Sequence, residues 1–224
     1  MSNRTIDFAG RKMILHPSGS IFWPDQATLI VGDLHFEKAS WYHHTGQFLP
    51  PYDSGETLKK LETVMSEFFP RRLILLGDVF HDNAAWHRMA QTDQEHLAKL
   101  LEGRETIYVN GNHDLNVTLP SQFSGLMYSL AGVTFRHIMD TNDQGPEISA
   151  HFHPIAIVKY RGTRIRRACF VHKKNRILLP AFGALTGGLN VNDPALKTFQ
   201  DLGTQLYLLG SEAIFNIPRE FAEK

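Results

Sequence analysis

Four apolar runs in this chain end on side chains that bind metals or move protons. Thr28-Leu29-Ile30-Val31 leads into Gly32-Asp33-Leu34-His35, and Leu73-Ile74-Leu75-Leu76 leads into Gly77-Asp78. Thr106 to Val109 leads into Asn110-Gly111-Asn112-His113-Asp114, and the run from Ile148 leads into His151-Phe152-His153. A lone His137 stands between the last two. One Asp-x-His is weak evidence, because two residues on one face of a strand are often a surface pair. Repetition at the end of successive apolar runs is harder to assign to chance. Carboxylate, imidazole and amide carbonyl together are the mixed oxygen and nitrogen donors that suit divalent manganese, iron or zinc.

The elements around these residues read as an α/β arrangement. Residues 28 to 110 alternate strand, helix, strand, helix, strand, the pattern of a parallel sheet with right-handed crossovers. Ligands in such sheets bind at the carboxyl ends of the strands, where the polar stations fall. The first helix is expected from a cap at Asp53 or Ser54 to about Phe69, with Leu58, Leu61, Met65 and Phe68 on one face and Pro70 as its stop. The second is expected from about Ala84 to Leu101, closed by Gly103. Ahead of them, Lys12 to His16 and Ser20 to Trp23 read as a hairpin at a sheet edge, and Glu37 to Pro51 as an irregular, aromatic-rich loop packed on the body, with a substrate-facing loop as the alternative. Beyond Pro120, short runs at Leu126 to Leu130, Val133 to Ile138, Glu147 to His151, Ile155 to Tyr160, Arg164 to Val171 and Arg176 to Leu179 predict a mostly antiparallel sheet. Two sheets with helices outside make a four-layer α/β/β/α sandwich, expected as a single domain over residues 1–224. Asp33/His35 and His151/His153 are i, i+2 pairs, which point the same way if the chain is extended there.

Composition narrows the partners. Lys plus Arg and Asp plus Glu are both 23, so the overall charge selects none. A single cysteine, Cys169, excludes an internal disulfide and a thiolate zinc cluster. Met1 to Gly10 has no apolar signal region, and no run approaches the roughly 18 apolar residues of a membrane helix, so a cytoplasmic enzyme without a membrane partner is expected. Ile148 to Asn192 contains no Asp or Glu but carries Lys159, Arg161, Arg164, Arg166, Arg167, Lys173, Lys174 and Arg176. Such a basic block just after His151/His153 suits a polyanion, and Arg164, Arg166 and Arg167 are the candidate contacts to its phosphates. Ordinary solvated strand faces are the alternative, which suits Arg167 least, because strict alternation puts it on the face of Ile165, Cys169 and Val171.

The ordered set Asp33-x-His35, Gly77-Asp78, Gly111-Asn112-His113-Asp114, His137 and His151-x-His153 resembles the calcineurin-like metallophosphoesterases. Ala150 departs from the pattern, standing where that family usually has Gly. Asp33-Leu34-His35-Phe36-Glu37-Lys38, the Arg164 to Arg176 region and the loop Leu179 to Gly188 are similar to the ligase-associated DNA damage response endonuclease branch. The resemblance implies the α/β/β/α fold and a pair of divalent ions, most often manganese with iron or zinc as alternatives, about 3.5–4 Å apart and clamping a phosphoester. It implies that Asp78 bridges them, that Asp33, His35 and His153 hold one, and that Asn112, His137 and His151 hold the other. His113 is then the general acid and Asp114 the residue that fixes its tautomer, with a further metal ligand and a turn contact as their alternatives. His81 and Asp82 are expected to support the ligands from behind. The implied activity is a DNA endonuclease of a repair system acting on single-stranded or nicked DNA, with a DNA ligase and a helicase as partners. A phosphodiesterase or phosphatase of small nucleotides is the alternative within the class. A non-catalytic scaffold is the alternative outside it, disfavoured because a scaffold need not keep the ligands and His113.

Overall fold

The computed structural model describes residues 2–47, 49–113 and 123–223. Among them, seven strands form a first sheet in chain order: β1 (Arg4–Phe8), β2 (Arg11–Leu15), β3 (Ile21–Trp23), β4 (Thr28–Gly32), β5 (Arg72–Leu76), β6 (Glu105–Val109) and β7 (Phe123–Gly125). β1 to β4 pair antiparallel and β4 to β7 parallel. The expected hairpin is β2–β3, but it is not the edge, because β1 pairs outside it.

Four helices connect these strands: α1 (Lys38–His44), α2 (Asp53–Phe68), α3 (Ala85–Arg88) and α4 (Gln91–Leu101). Three details differ from the sequence expectation. Part of the segment expected to be irregular is helical, since α1 lies within Glu37 to Pro51. Asp53 and Ser54 do not cap α2, whose cap position Tyr52 offers no side-chain bond. They hold the start of α1 instead: Asp53 Oδ2 accepts from the Ala39 N–H at 2.9 Å, and Ser54 Oγ accepts from the Glu37 N–H at 2.9 Å. The expected second helix is two helices, because Met89 and Ala90 are extended. Met89 is buried there, and Gln94 Nε2 donates to the carbonyls of Trp86 and Met89, which relieves the broken ladder.

The second sheet contains β8 (Met127–Leu130), β9 (Val133–Arg136), β10 (Glu147–Ser149), β11 (Ile155–Tyr160), β12 (Thr163–Lys173), β13 (Arg176–Leu178), β14 (Gln205–Leu209) and β15 (Ile214–Pro218). Its order is β15-β14-β12-β13-β10-β9-β8. Pairing is antiparallel except that β10 runs parallel to both β9 and β13. The long β12 is shared: its last residues pair with β14, and its first six pair with β11 in a hairpin, from Thr163 opposite Tyr160 to Ala168 opposite Ile155.

Layering follows from the period of two in a strand. Leu29, Val31, Leu73, Leu75 and Tyr108 face Leu58, Leu61, Val64 and Met65 of α2 and Leu97, Leu100 and Leu101 of α4. The alternate residues Ile30, Ile74, Leu76, Ile107 and Val109 face Phe135, Ile148, Phe170 and Ile177 of the second sheet. Both faces of β4 to β6 are covered, which is why these strands are apolar throughout. The far face of the second sheet, with Val171, Leu178, Leu206 and Leu208, is covered by Leu196 and Phe199 of the 3₁₀ segment Pro194–Phe199. The α/β sandwich therefore has a short 3₁₀ element as its outermost layer on that side. Leu75 is fully buried beneath the helices, and Leu75→Ala should cost about 2–5 kcal/mol. Urea unfolding would read this as a lower midpoint with unchanged slope.

Candidate metal centre

The parallel ladder does not stop where the strands stop. The Asp33 N–H donates to the Gly77 carbonyl at 3.2 Å, His35 N–H to Asp78 at 2.9 Å, Phe36 N–H to Val79 at 2.9 Å and His81 N–H back to Phe36 at 3.0 Å. Gly77 N–H donates to the Val109 carbonyl at 2.7 Å, tying the turn after β5 to the end of β6. From the second sheet, Ala150 N–H donates to the His137 carbonyl at 3.0 Å, and His151 N–H reaches Asp33 Oδ2 at 2.9 Å. The polar stations of the first sheet thus share backbone bonds, and those of the second reach them through a backbone N–H on the Asp33 carboxylate.

Two groups of side chains result. Asp33, His35 and His153 present donor atoms within 4.8 Å of one another, as do Asp78, His137 and His151. In the first, His35 Nε2 lies 3.2 Å from His153 Nε2, and His153 Nε2 lies 3.3 Å from Asp33 Oδ2. In the second, His151 Nδ1 lies 3.1 Å from His137 Nε2, which is 3.3 Å from Asp78 Oδ2 and 3.0 Å from Asn112 Oδ1. Asp78 Oδ2 is also 3.9 Å from His35 Nε2, so this carboxylate stands between the groups.

The donor chemistry fits divalent cations. Burial, and then the neighbouring His153, pushes His35 down to about 2, and burial followed by His137 lowers His151. Neutral imidazoles present lone pairs, the form that ligates a metal. Burial pushes the Asp78 carboxyl up, but the hydrogen bond and charge of His137 and the His113 N–H outweigh it and hold it below the usual carboxylate range. Asp33 Oδ1 and His35 Nδ1 are buried without a hydrogen-bond partner among the described residues. Nitrogen pairs at 3.1–3.2 Å beside buried carboxylates are what converging ligands look like.

The local backbone is not the extended chain expected for the i, i+2 pairs. Asp33 (φ 55°), His35 (48°), Asp78 (41°), His151 (75°) and His153 (46°) are all left-handed. Alternating left-handed residues, rather than strand alternation, aim each pair at the same place. Such residues cost about 1–3 kcal/mol each and persist where the surroundings over-determine them. Two glycines make the close packing possible. A Cβ on Gly77 would sit 1.8 Å from His137 Nδ1, and one on Gly111 would sit 2.0 Å from Asp78 Oδ1. Ala150 is accommodated without a left-handed backbone, and its Cβ occupies space that Gly32 leaves open.

His113 stands at the rim, 42 % exposed, with Nε2 4.0 Å from Asp78 Oδ2. Its Nδ1 is 3.0 Å from the His81 carbonyl, which can only accept, so Nδ1 carries the hydrogen and Nε2 faces the cleft. That carbonyl holds the tautomer, the task expected of Asp114, which lies outside the described residues. His81 stacks on His113 at 5.3 Å, and burial followed by Lys38 pushes it down to about 4. Asp82 is held by Arg88 and, like His81, lines the cleft.

An open cleft of about 390 Å³ lies over the two groups, walled by His35, Lys38, Trp41, Tyr42, His81 and His113, with Asp78 and His153 in its floor. Reading the sequence missed Lys38, Trp41 and Tyr42 as site residues. Their i, i+3, i+4 spacing becomes a signal only once α1 is known to be a helix. Arg164, Arg166 and Arg167 are absent from this wall. They are exposed on the β11–β12 hairpin, where Arg164 Nε pairs with Glu223 at 3.0 Å and Arg167 donates to the Arg166 carbonyl. Arg167 can share the face of Cys169 without being buried because the hairpin runs beyond the body of the sheet.

The fold is that of metallophosphoesterases, and with the paired donor groups it defines a metal-dependent phosphoesterase. Among solved structures, the chain is similar to the Pseudomonas putida nuclease MPE, at 27% identity and a TM-score of 0.73, over 96% of this chain and 100% of that one. A phosphoesterase from E. coli, Yfce, aligns at 15% identity and a TM-score of 0.43, over 85% of this chain and 97% of that one. No protein-family model and no curated protein matches the sequence.

The glycine contacts lead to a separable prediction. Gly77→Ala should displace His137 and lower metal content by about one ion per chain, leaving the Asp33, His35 and His153 group able to bind. Metal analysis of purified protein checks this, and wild-type content in the variant would contradict it.

Proposed function

We propose that the chain is a dinuclear phosphodiesterase that cuts DNA as an endonuclease, with manganese as its preferred ion pair and iron or zinc as substitutes. The observation that carries this reading is the convergence of the two donor groups on Asp78 at the floor of an open cleft, with His113 Nε2 facing it. Asp33, His35 and His153 would hold one ion, Asn112, His137 and His151 the other, and Asp78 both. When bound, such a pair supplies Lewis acidity at the phosphoester and brings the pKa of water near neutral.

The chain's own residues do the rest. His113 in its protonated form donates from Nε2 to the leaving oxygen. The neutral ring that remains carries its hydrogen on Nδ1, the tautomer the His81 carbonyl already accepts from, so no ring flip is needed to release product. Lys38 in the cleft wall adds a cation for the substrate's charge.

Nucleic acid as substrate is supported by the likeness to a nuclease and by the acid-free stretch from Ile148 to Asn192. Arg166 and Arg167, exposed on the hairpin, would grip phosphates away from the cut, and Arg164 contributes less because Glu223 already neutralises it. The resemblance of Asp33 to Lys38 and of the Leu179 to Gly188 loop to the ligase-associated branch supports a repair role in the cytoplasm, with a DNA ligase and a helicase as partners.

The test is hydrolysis of single-stranded and nicked DNA, a small diester and a monoester by protein loaded in turn with manganese, iron and zinc. Cutting of DNA and diester over monoester is expected; a monoester preference makes the chain a phosphatase of small nucleotides instead. Asp78→Asn should lose activity and tight binding of both ions together, and a variant that retains wild-type metal content refutes the bridging role. His113→Ala should keep its metals while kcat falls by about 10²–10⁴. That loss should shrink for substrates with good leaving groups, and a uniform loss would return His113 to a structural role.

A further inference from the structure

The face of α1 that lines the cleft has no role in the chemistry above beyond the charge of Lys38. Lys38, Trp41 and Tyr42 stand at i, i+3 and i+4, one side of the helix, and all three are cleft residues. Their rings continue the wall begun by His113. His81 stacks on His113 with an interplanar angle of 18°, Tyr42 lies nearly parallel to His81 at 6.3 Å, and Trp41 meets the His81 ring edge-on at 5.0 Å. An aromatic surface therefore leads from the candidate proton donor outward along α1.

Two features of this surface suit a ligand better than they suit the fold. Trp41 keeps 38% of its surface exposed beside the cleft, whereas Trp23 is buried in the core. Lys38 is half-buried yet makes no salt bridge among the described residues, although the charges of Asp53, Asp33 and Asp78 act on it. A lysine held in a cleft wall one helical turn from an available indole matches one repeat of a nucleic-acid strand, a phosphate with its base. The start of α1 is fixed by Asp53 and Ser54, so this face is held in place before anything binds.

We propose that Lys38 and Trp41 form a nucleotide subsite next to the metal centre, in which Lys38 takes the phosphate adjacent to the one being cut and Trp41 stacks on its base. A base stacked on protein has left its partner, so the subsite selects unpaired strand over duplex. The inference rests on the reading that the enzyme cuts nucleic acid, and it adds which residues of the cleft would choose the unpaired strand. Trp41 is here a binding residue for the flanking nucleotide, with no part in proton transfer or metal binding.

The experiment compares manganese-loaded wild type, Trp41→Ala, Trp41→Phe and Lys38→Met on single-stranded oligothymidylate. The same oligomer with one abasic position moved along it, and a fully abasic strand of equal length, complete the substrate set. Trp41→Ala should raise KM for oligothymidylate roughly 5- to 150-fold, the range of one lost base stack, with kcat within about twofold. Trp41→Phe should recover most of the loss. One abasic position should cost wild type a similar factor and cost Trp41→Ala nothing more, and both should cut the fully abasic strand alike. Lys38→Met should reduce the log–log salt slope of binding by about 0.7. Equal losses on the fully abasic strand would make Trp41 structural and overturn the subsite. An abasic penalty that persists in Trp41→Ala would put the base elsewhere and overturn it as well. Wild type that hydrolyses a small diester but no oligonucleotide would overturn the nuclease reading first, a result separable from either of these.

Discussion

The site depends on a parallel backbone ladder that outlasts its strands. After β4 and β5 end, Asp33, His35, Phe36 and His81 keep exchanging main-chain bonds with the Gly77 to Val79 segment and Phe36. Neighbouring strands lie about 4.8 Å apart, so carboxylates at adjacent strand ends start out near the separation a pair of ions needs. The second sheet joins through the His151 N–H on Asp33 Oδ2, which draws His151 and His153 over the first sheet's loops. A layered core below, apolar on both faces of β4 to β6, keeps this ladder from shifting.

Backbone strain is concentrated where donors converge. Asp33, His35, Asp78, His151 and His153 are left-handed, and each is countered by bonds and close packing around it. The glycine-rich loop Leu179 to Gly188 is part of that support. Gly183 lies so close to the Leu34 carbonyl that a Cβ would approach to 2.2 Å, and Gly188 is as close to the His153 carbonyl, at 2.0 Å. Phe182 and Gly183 donate to the carbonyls of Gly32 and Asp33. The loop therefore buttresses both ligand segments from outside.

Charge is partitioned between the cleft and the surface around it. Two buried carboxylates share the floor with His35 and His151, whose neutral forms burial favours, which leaves the floor receptive to cations. The basic residues sit further out, on α1 at Lys38 and on the β11–β12 hairpin at Arg166 and Arg167. A long anion can engage those outer charges while one of its phosphates reaches the floor, whereas a small one reaches only Lys38 and the floor.

Much of this was legible in the residues themselves. Donor types are a matter of side-chain chemistry, and Asp33, Asp78 and Asn112 each follow an apolar run because strands buried on both faces must be apolar up to the point where they leave the core. The parallel order of β4, β5 and β6 follows from the alternation of strand and helix. What only the tertiary structure decided depends on contacts between distant segments. His35 meets His153 across 118 residues, and their approach is set by left-handed turns that residue identity does not announce outside glycine. α1 has no clear apolar period and owes its start to Asp53 and Ser54, which a local reading assigns to the next helix. That is why Lys38 and Trp41 came to light only in the folded chain. The three arginines show the converse: their charge was plain in the sequence, but the hairpin that carries them determines that they lie outside the cleft.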